Sequence, residues 1–300
     1  MPRLGIAALA LLLGGCSVKH YAIKQMGSAL ASGAGGAFAA ESDPEFAGQA
    51  VPFSLKLIES LLWEQPDNVE LLLAASGGFT QYAFVWVQQP ADFIEEEDFA
   101  KAASERQRAI AFYLRAHDYA IRGLDAKHRG FSDRLRRDPA AARETLRKDD
   151  VPLTYWAAAS LGSAISLGKT APALVARQNE VAALVDAAVS LDPGWNNGAL
   201  RELLMVYELA RPGAGAAGIK KARDLFAQIV AETGGQTAGP FVTFAESVSV
   251  QQQDRAEFVA LLERALAIDP DRTPKNRLAN VVMQNRARWL LGRVDELFLE

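Results

Sequence analysis

Apolar residues fall at offsets of three, four and seven along most of the chain. Few stretches alternate with period two, and β-branched residues are sparse beside Ala and Leu, so the pattern predicts helices. Val181, Leu184, Val185, Ala188 and Leu191 share one helical face, closed by Asp192 and Pro193. Phe258, Leu261, Leu262, Ala265 and Ile268 repeat those offsets before Asp269 and Pro270. Leu57, Ile58 and Leu61 form a looser copy ahead of Gln65 and Pro66, and Ala222, Phe226, Ile229 and Val230 form another, closed by Gly234 and Gly235. The helix ends recur at intervals near or slightly above the ~34 residues of a tetratricopeptide repeat.

The fold class this predicts is all-α, with tetratricopeptide-like helical-hairpin repeats forming an α-solenoid. Helix pairs are expected near residues 67–123, 152–191, 196–232 and 241–268, with a helix over 55–64 ahead and one over 275–291 behind. One pair cannot bury its apolar stripe alone, so several must stack, and a proline just past a helix end stops it and turns the chain. Asp67, followed three residues later by Glu70, reads as a capping box opening its helix.

The first residues read as targeting rather than fold. Arg3 is the only early charge, and residues 4–13 carry no polar side chain. Such a run fits the apolar region of a secretory signal and is well short of the ~20 residues a spanning helix needs. Leu13, Gly14, Gly15 and Cys16 then match a bacterial lipobox. Cys16 is the only cysteine, so no disulfide framework exists, and lipidation would consume a thiol exported to an oxidising compartment. Ser17 in place of an aspartate favours the outer membrane over retention in the inner one. The expected division is a signal peptide at 1–15, a lipidated cysteine and flexible Ala/Gly/Ser-rich tether at 16–44, and a helical-repeat domain at 45–300.

Charge narrows the partners. The net value of −4, with both signs interspersed, argues against nucleic acid, which usually needs a basic face. Residues 115–150 depart from the apolar rhythm with a mixed run of arginines and acids. That run reads as a solvated helix or connector, with a protein contact surface as the alternative.

Motifs for catalysis are missing or lack their context. Gly213-Ala-Gly-Ala-Ala-Gly218 fits a dinucleotide fingerprint, but a helix rather than a strand is expected before it, so it reads as a helix-to-helix connector. His20, His117 and His128 lack metal-pair spacing, and no serine elbow of the form G-x-S-x-G is present. Glu95, Glu96, Glu97 and Asp98 precede a helix, where negative charge suits the N-terminal dipole. No cofactor, metal or catalytic machinery is expected.

Aromatic residues remain as candidates. Tyr82, Phe84 and Trp86 share a segment, Tyr155 and Trp156 open another, and Trp195 follows a helix-ending proline. Most such rings serve a core, yet concave helical-repeat surfaces also use them as flat walls for a ligand or a partner helix. Tyr82, Trp86, Tyr155, Trp156 and Trp195 are therefore the expected ligand- or partner-binding residues, with Asn280 as a polar contact.

At several segments the sequence resembles the T component associated with tripartite ATP-independent periplasmic (TRAP) transporters. The likeness is carried by Leu55-Lys-Leu-Ile-Glu-Ser-Leu-Leu62, Pro66-Asp-Asn68, Leu71-Leu-Leu-Ala74, Tyr82-Ala83 and Phe112-Tyr-Leu-Arg-Ala116. It continues through Tyr119-Ala120, Gly123-Leu124, Asp150-Val-Pro152, Tyr155-Trp156, Leu191-Asp-Pro193, Leu261-Leu262 and Arg277-Leu-Ala-Asn280. The connector at residues 211–218 departs from the Pro-and-paired-Gly turn expected of the family. The resemblance implies a periplasm-facing lipoprotein of tetratricopeptide-like repeats. It implies a homotrimer with a channel or cavity through each subunit, and the substrate-binding P component as partner.

The function expected on these grounds is that of a non-enzymatic accessory lipoprotein of TRAP solute uptake, anchored in the membrane by lipid. It would bind the P component and hold a small organic or hydrophobic ligand in a helical cavity. The alternative is an envelope assembly scaffold whose repeats grip a peptide or partner helix.

Overall fold

A computed structural model of the protein describes residues 36–299. Cys16, His20 and the signal segment lie outside them. Among the described residues every regular element is helical and no strand occurs. None of these helices is long and apolar enough to cross a membrane.

Asx caps set where several helices begin. α1 (Pro44–Glu64) opens at Asp43, whose carboxylate accepts from the N–H groups of Glu45 and Phe46. α2 (Val69–Ala83) opens at Asn68, whose side chain accepts from Leu71 N at 3.1 Å. The expected Asp67–Glu70 box is therefore replaced by a single cap one residue later. Asn68, not Asp67, holds the extended backbone that aims a cap side chain at the first turn. α2 runs on through a π-helical turn, Phe84–Gln88, into a short helix, Gln89–Phe93. Asp98 then caps α3 (Phe99–Lys127) by accepting from Lys101 N at 3.0 Å, so one member of the acidic cluster has a structural task.

The later helices are α4 (Val151–Leu167), α5 (Gln178–Leu191), α6 (Ala199–Ala210) and α7 (Gly215–Thr233). They are followed by α8 (Gly239–Phe244) with a second π-helical turn, Ala245–Ser249, then α9 (Arg255–Leu266) and α10 (Arg277–Leu291). α2 packs on α3, α4 on α5, α6 on α7 and α8 on α9, while α3 also meets α4 and α10 meets α8 and α9. Val181, Leu184, Val185 and Ala188 are buried on α5, as are Phe258, Leu262 and Ala265 on α9 and Ile268 just beyond it. The stripe on α1 differs from expectation. Leu55, Ile58 and Leu62 face inward, whereas Leu57 is exposed with Phe46, Phe53 and Trp63.

The charged stretch after α3 is not merely solvated connector. Phe131, Leu135, Ala142 and Leu146 are buried under two short helices, Phe131–Arg137 and Pro139–Arg143, and anchor them to the α4–α5 core. Arg129, Arg136, Arg137 and Arg143 remain exposed. Between α6 and α7 the glycine-rich motif is a helix connector. Gly213 has φ +75°, and a methyl group at Gly218 would lie 2.7 Å from the Glu208 carbonyl oxygen, so one glycine turns the chain and the other lets two helices approach.

The two ends of the fold meet. Leu278 N donates to Ala39 O at 3.0 Å and Arg277 Nη1 donates to Ala40 O at 2.8 Å, which fixes part of the expected tether against α10. Farther along α10, Arg286 binds Asp92, Arg293 binds Glu96, and Trp289 lies against Phe93 with ring centroids 5.1 Å apart. The last long helix thus rests on the first helix pair.

Candidate functional site

The aromatic residues form two groups at different places in the fold. Tyr82 and Trp86 lie one turn apart at the end of α2, their rings stacked with centroids 6.0 Å apart, and Phe112 of α3 meets Tyr82 edge-on. Trp86 Nε1 donates to Pro44 O at 2.7 Å, which pins the start of α1. That bond occupies the indole's only donor, so Trp86 offers a ligand its ring alone.

The second group is larger. Tyr155 contacts Trp156 and Trp195, with ring centroids 4.9 and 4.7 Å away. Trp156 also lies over Gly77 of α2, where a methyl group would come within 3.0 Å of the indole. Pro152 in the first turn of α4 suits the helix start, and Tyr155 and Trp156 follow one turn later. A short 3-10 turn, Trp195–Gly198, delivers Trp195 to the same place.

Beside these rings stands Glu202 of α6, which the sequence did not single out. Its Oε1 accepts from the Thr243 hydroxyl of α8 at 2.7 Å. Among the described residues no cation pairs with it, and burial raises its pKa against the pull of Thr243. Burial likewise pushes up the Tyr155 hydroxyl, and the charge of Glu202 adds to that shift. Tyr155, Trp156, Trp195, Glu202 and Thr243 are nevertheless only half-buried. Trp156 packs on the core that joins α4 and α5, and Tyr155 and Trp195 pack beside Val151, Ala188 and Leu200.

Asn280 lies elsewhere. It is 2% exposed, accepts from Ala238 N at 2.9 Å and donates to Gln236 O at 3.1 Å. Its amide stitches α10 to the turn before α8.

A separate polar cleft of about 320 Å³ is lined by residues that include His117, Asp118, Arg136, Arg177 and Glu180. Arg177 Nη2 donates to His117 Nε2 at 2.8 Å, so Nδ1 carries the imidazole proton and donates to Ala157 O at 2.9 Å. Burial pushes the His117 pKa down to about 4, and the Arg177 charge adds to that shift. A ring held neutral with both nitrogens engaged has no lone pair left for a metal. His128 is likewise occupied, at 2.7 Å from Asp150 Oδ2.

Comparison with known proteins bears on the whole chain. The family described as TRAP transporter T-component matches residues 40–298. An uncharacterised protein of Treponema pallidum (strain Nichols) is 29% identical over 312 aligned residues, covering 98% of this chain and 96% of its own.

Proposed function

The chain belongs to the TRAP transporter T-component family, and from that membership we propose that it is a non-enzymatic accessory subunit of solute uptake that binds the substrate-binding P component. The observation that carries this reading is the family match across residues 40–298, nearly the whole described fold. A TRAP component works at the cell envelope, and the apolar N-terminus ending at Cys16 supports a lipid anchor that holds the helical domain facing the periplasm, at the outer membrane.

The partly exposed rings of Tyr155, Trp156 and Trp195 line the ligand site in this reading. Flat apolar walls supply affinity and a few polar groups orient what binds. Tyr82 and Trp86 extend the aromatic lining toward the start of α1. The helix pairs stack as a tetratricopeptide-like solenoid, and the subunit assembles as a homotrimer. An exposed apolar row on α1, with Phe46 at 62%, Phe53 at 75% and Trp63 at 88%, supports assembly, since such a row on an exported domain marks a protein contact.

The reading is tested by capture. A tagged copy expressed from its own locus should co-purify the P component from solubilised envelopes, and a tagged P component should return this chain. Recovery of outer-membrane assembly factors without the P component would favour a scaffold instead.

A further inference from the structure

The polar cleft of about 320 Å³ lies where α3, the short helix Phe131–Arg137 and the start of α5 meet, and it holds opposite charges that do not pair. α3 supplies His117 and Asp118, the short helix Ser132 and Arg136, and the start of α5 Arg177 and Glu180. One side of the cleft is held in place from behind. Glu180, 7% exposed, accepts from Arg177 Nε at 2.9 Å and from Nη2 at 2.8 Å, and Nη2 also reaches His117 Nε2 at 2.8 Å. These contacts fix the guanidinium at the cleft, and among the described residues its Nη1 has no partner.

The other polar groups are open. Arg136 and Asp118 line the same cleft, yet among the described residues neither side chain makes a hydrogen bond or an ion pair. Their neighbours do: Arg137 pairs with Asp133 at 3.8 Å, Arg134 donates to Arg129 O at 3.1 Å, and Arg122, one turn beyond Asp118, donates to Pro66 O at 2.9 Å. The Ser132 hydroxyl is also free, while its backbone N–H donates to Asp125 at 3.0 Å. Ile121 and Leu135, which pack on the core between α4 and α5, add an apolar wall. A simple anion in this cleft would meet the Asp118 carboxylate and a simple cation would meet Arg136. A molecule that carries both charges satisfies both groups with charge-assisted contacts. The volume lies at the small end of ligand pockets, which begin at about 300 Å³.

We propose that this cleft binds a free amino acid with an apolar side chain, its carboxylate on Arg136 and Arg177 Nη1, its ammonium on Asp118 and its side chain against Ile121 and Leu135. The Ser132 hydroxyl donates to the same carboxylate. None of Tyr155, Trp156 and Trp195 lines the cleft, so this site is separate from the aromatic one and does not depend on it.

Three probes of like carbon skeleton separate the outcomes: L-leucine, isocaproate, which lacks the ammonium, and isopentylammonium, which lacks the carboxylate. Each is titrated calorimetrically into the full-length chain, and leucine should bind tightest. Arg136→Gln should weaken leucine and isocaproate by about tenfold, the loss of one charge-assisted contact, and leave isopentylammonium no weaker. Asp118→Asn should weaken leucine and isopentylammonium by a similar factor and leave isocaproate no weaker. Both side chains are exposed, so neither substitution removes a core contact. Isocaproate or isopentylammonium binding as tightly as leucine would overturn the proposal in favour of a plain anion or cation site. Unchanged leucine affinity in either folded variant would overturn the placement in this cleft. Absence of leucine binding would overturn the site altogether, with capture of the P component unaffected.

Discussion

Arg286 Nη1 donates to Asp92 Oδ2 at 3.2 Å, joining α10 to the end of the first helix pair across 194 positions. The other face of the guanidinium grips Glu246 in the second π-helical turn, with Nε and Nη2 donating at 2.8 and 2.7 Å. Asp92 also receives Arg106 at 3.0 Å. Burial alone would lower the Arg286 pKa, but Glu246 and Asp92 outweigh it and hold it above the usual value. Both carboxylates stand on or just beyond a π-helical turn, where the extra residue per turn re-aims side chains.

Removing this cation leaves two carboxylates in the interior with less counter-charge. Arg286→Met should cost about 3–5 kcal/mol in urea unfolding. A triple variant that also carries Asp92→Asn and Glu246→Gln should recover much of that loss. A cost below about 1 kcal/mol for the single variant would mean that the pair behaves as an exposed one.

Asn280 serves as a control for the site. Asn280→Ala removes an acceptor from Ala238 N and a donor from Gln236 O in a buried place, which should cost about 1–3 kcal/mol of stability. Capture of the P component should be unchanged once the variant is folded. Weaker capture with full stability would place Asn280 back among the binding contacts.

His117 makes stability depend on pH in a defined window. Its folded pKa of about 4 lies below the ordinary 6.5. Above the ordinary value the ring is neutral folded or unfolded, and its contribution is fully present. As pH falls toward 4 the unfolded chain takes a proton that the folded chain refuses, so stability is lost progressively, by up to about 3 kcal/mol. Denaturant midpoints of wild type and His117→Gln, compared at pH 7 and pH 4, should show a steeper acid loss in the wild type. Parallel losses would contradict a buried neutral ring.

Local pattern carried much of the fold and little of the site. The rows Val181, Leu184, Val185, Ala188 and Phe258, Leu262, Ala265 were legible because a helix in contact with a core must repeat near every 3.6 residues. Asn68 and Asp67 are both good caps, and only the backbone angle at the boundary decides between them. Leu57 was misplaced because α1 is apolar on two faces, one of them exposed.

Glu202 was invisible for a different reason. A lone glutamate on an amphipathic helix reads as a solvated position, and only the fold brings the Thr243 hydroxyl of α8 to it. Tyr155, Trp156 and Trp195 were legible as aromatics, but their meeting depends on a 3-10 turn and on Asn196 and Asn197 at positive φ. Arg286 and Asp92 have no sequence signal that links them, because their contact is a property of how the last helix returns to the first.

The central claim is that this chain pairs with the substrate-binding P component, and sedimentation velocity of the two purified proteins tests it most directly. Each protein should sediment as its own boundary when alone, and the mixture should give a faster boundary containing both, in a fixed ratio, at micromolar concentration. Two unchanged boundaries across the concentration range, with both proteins folded, would contradict it.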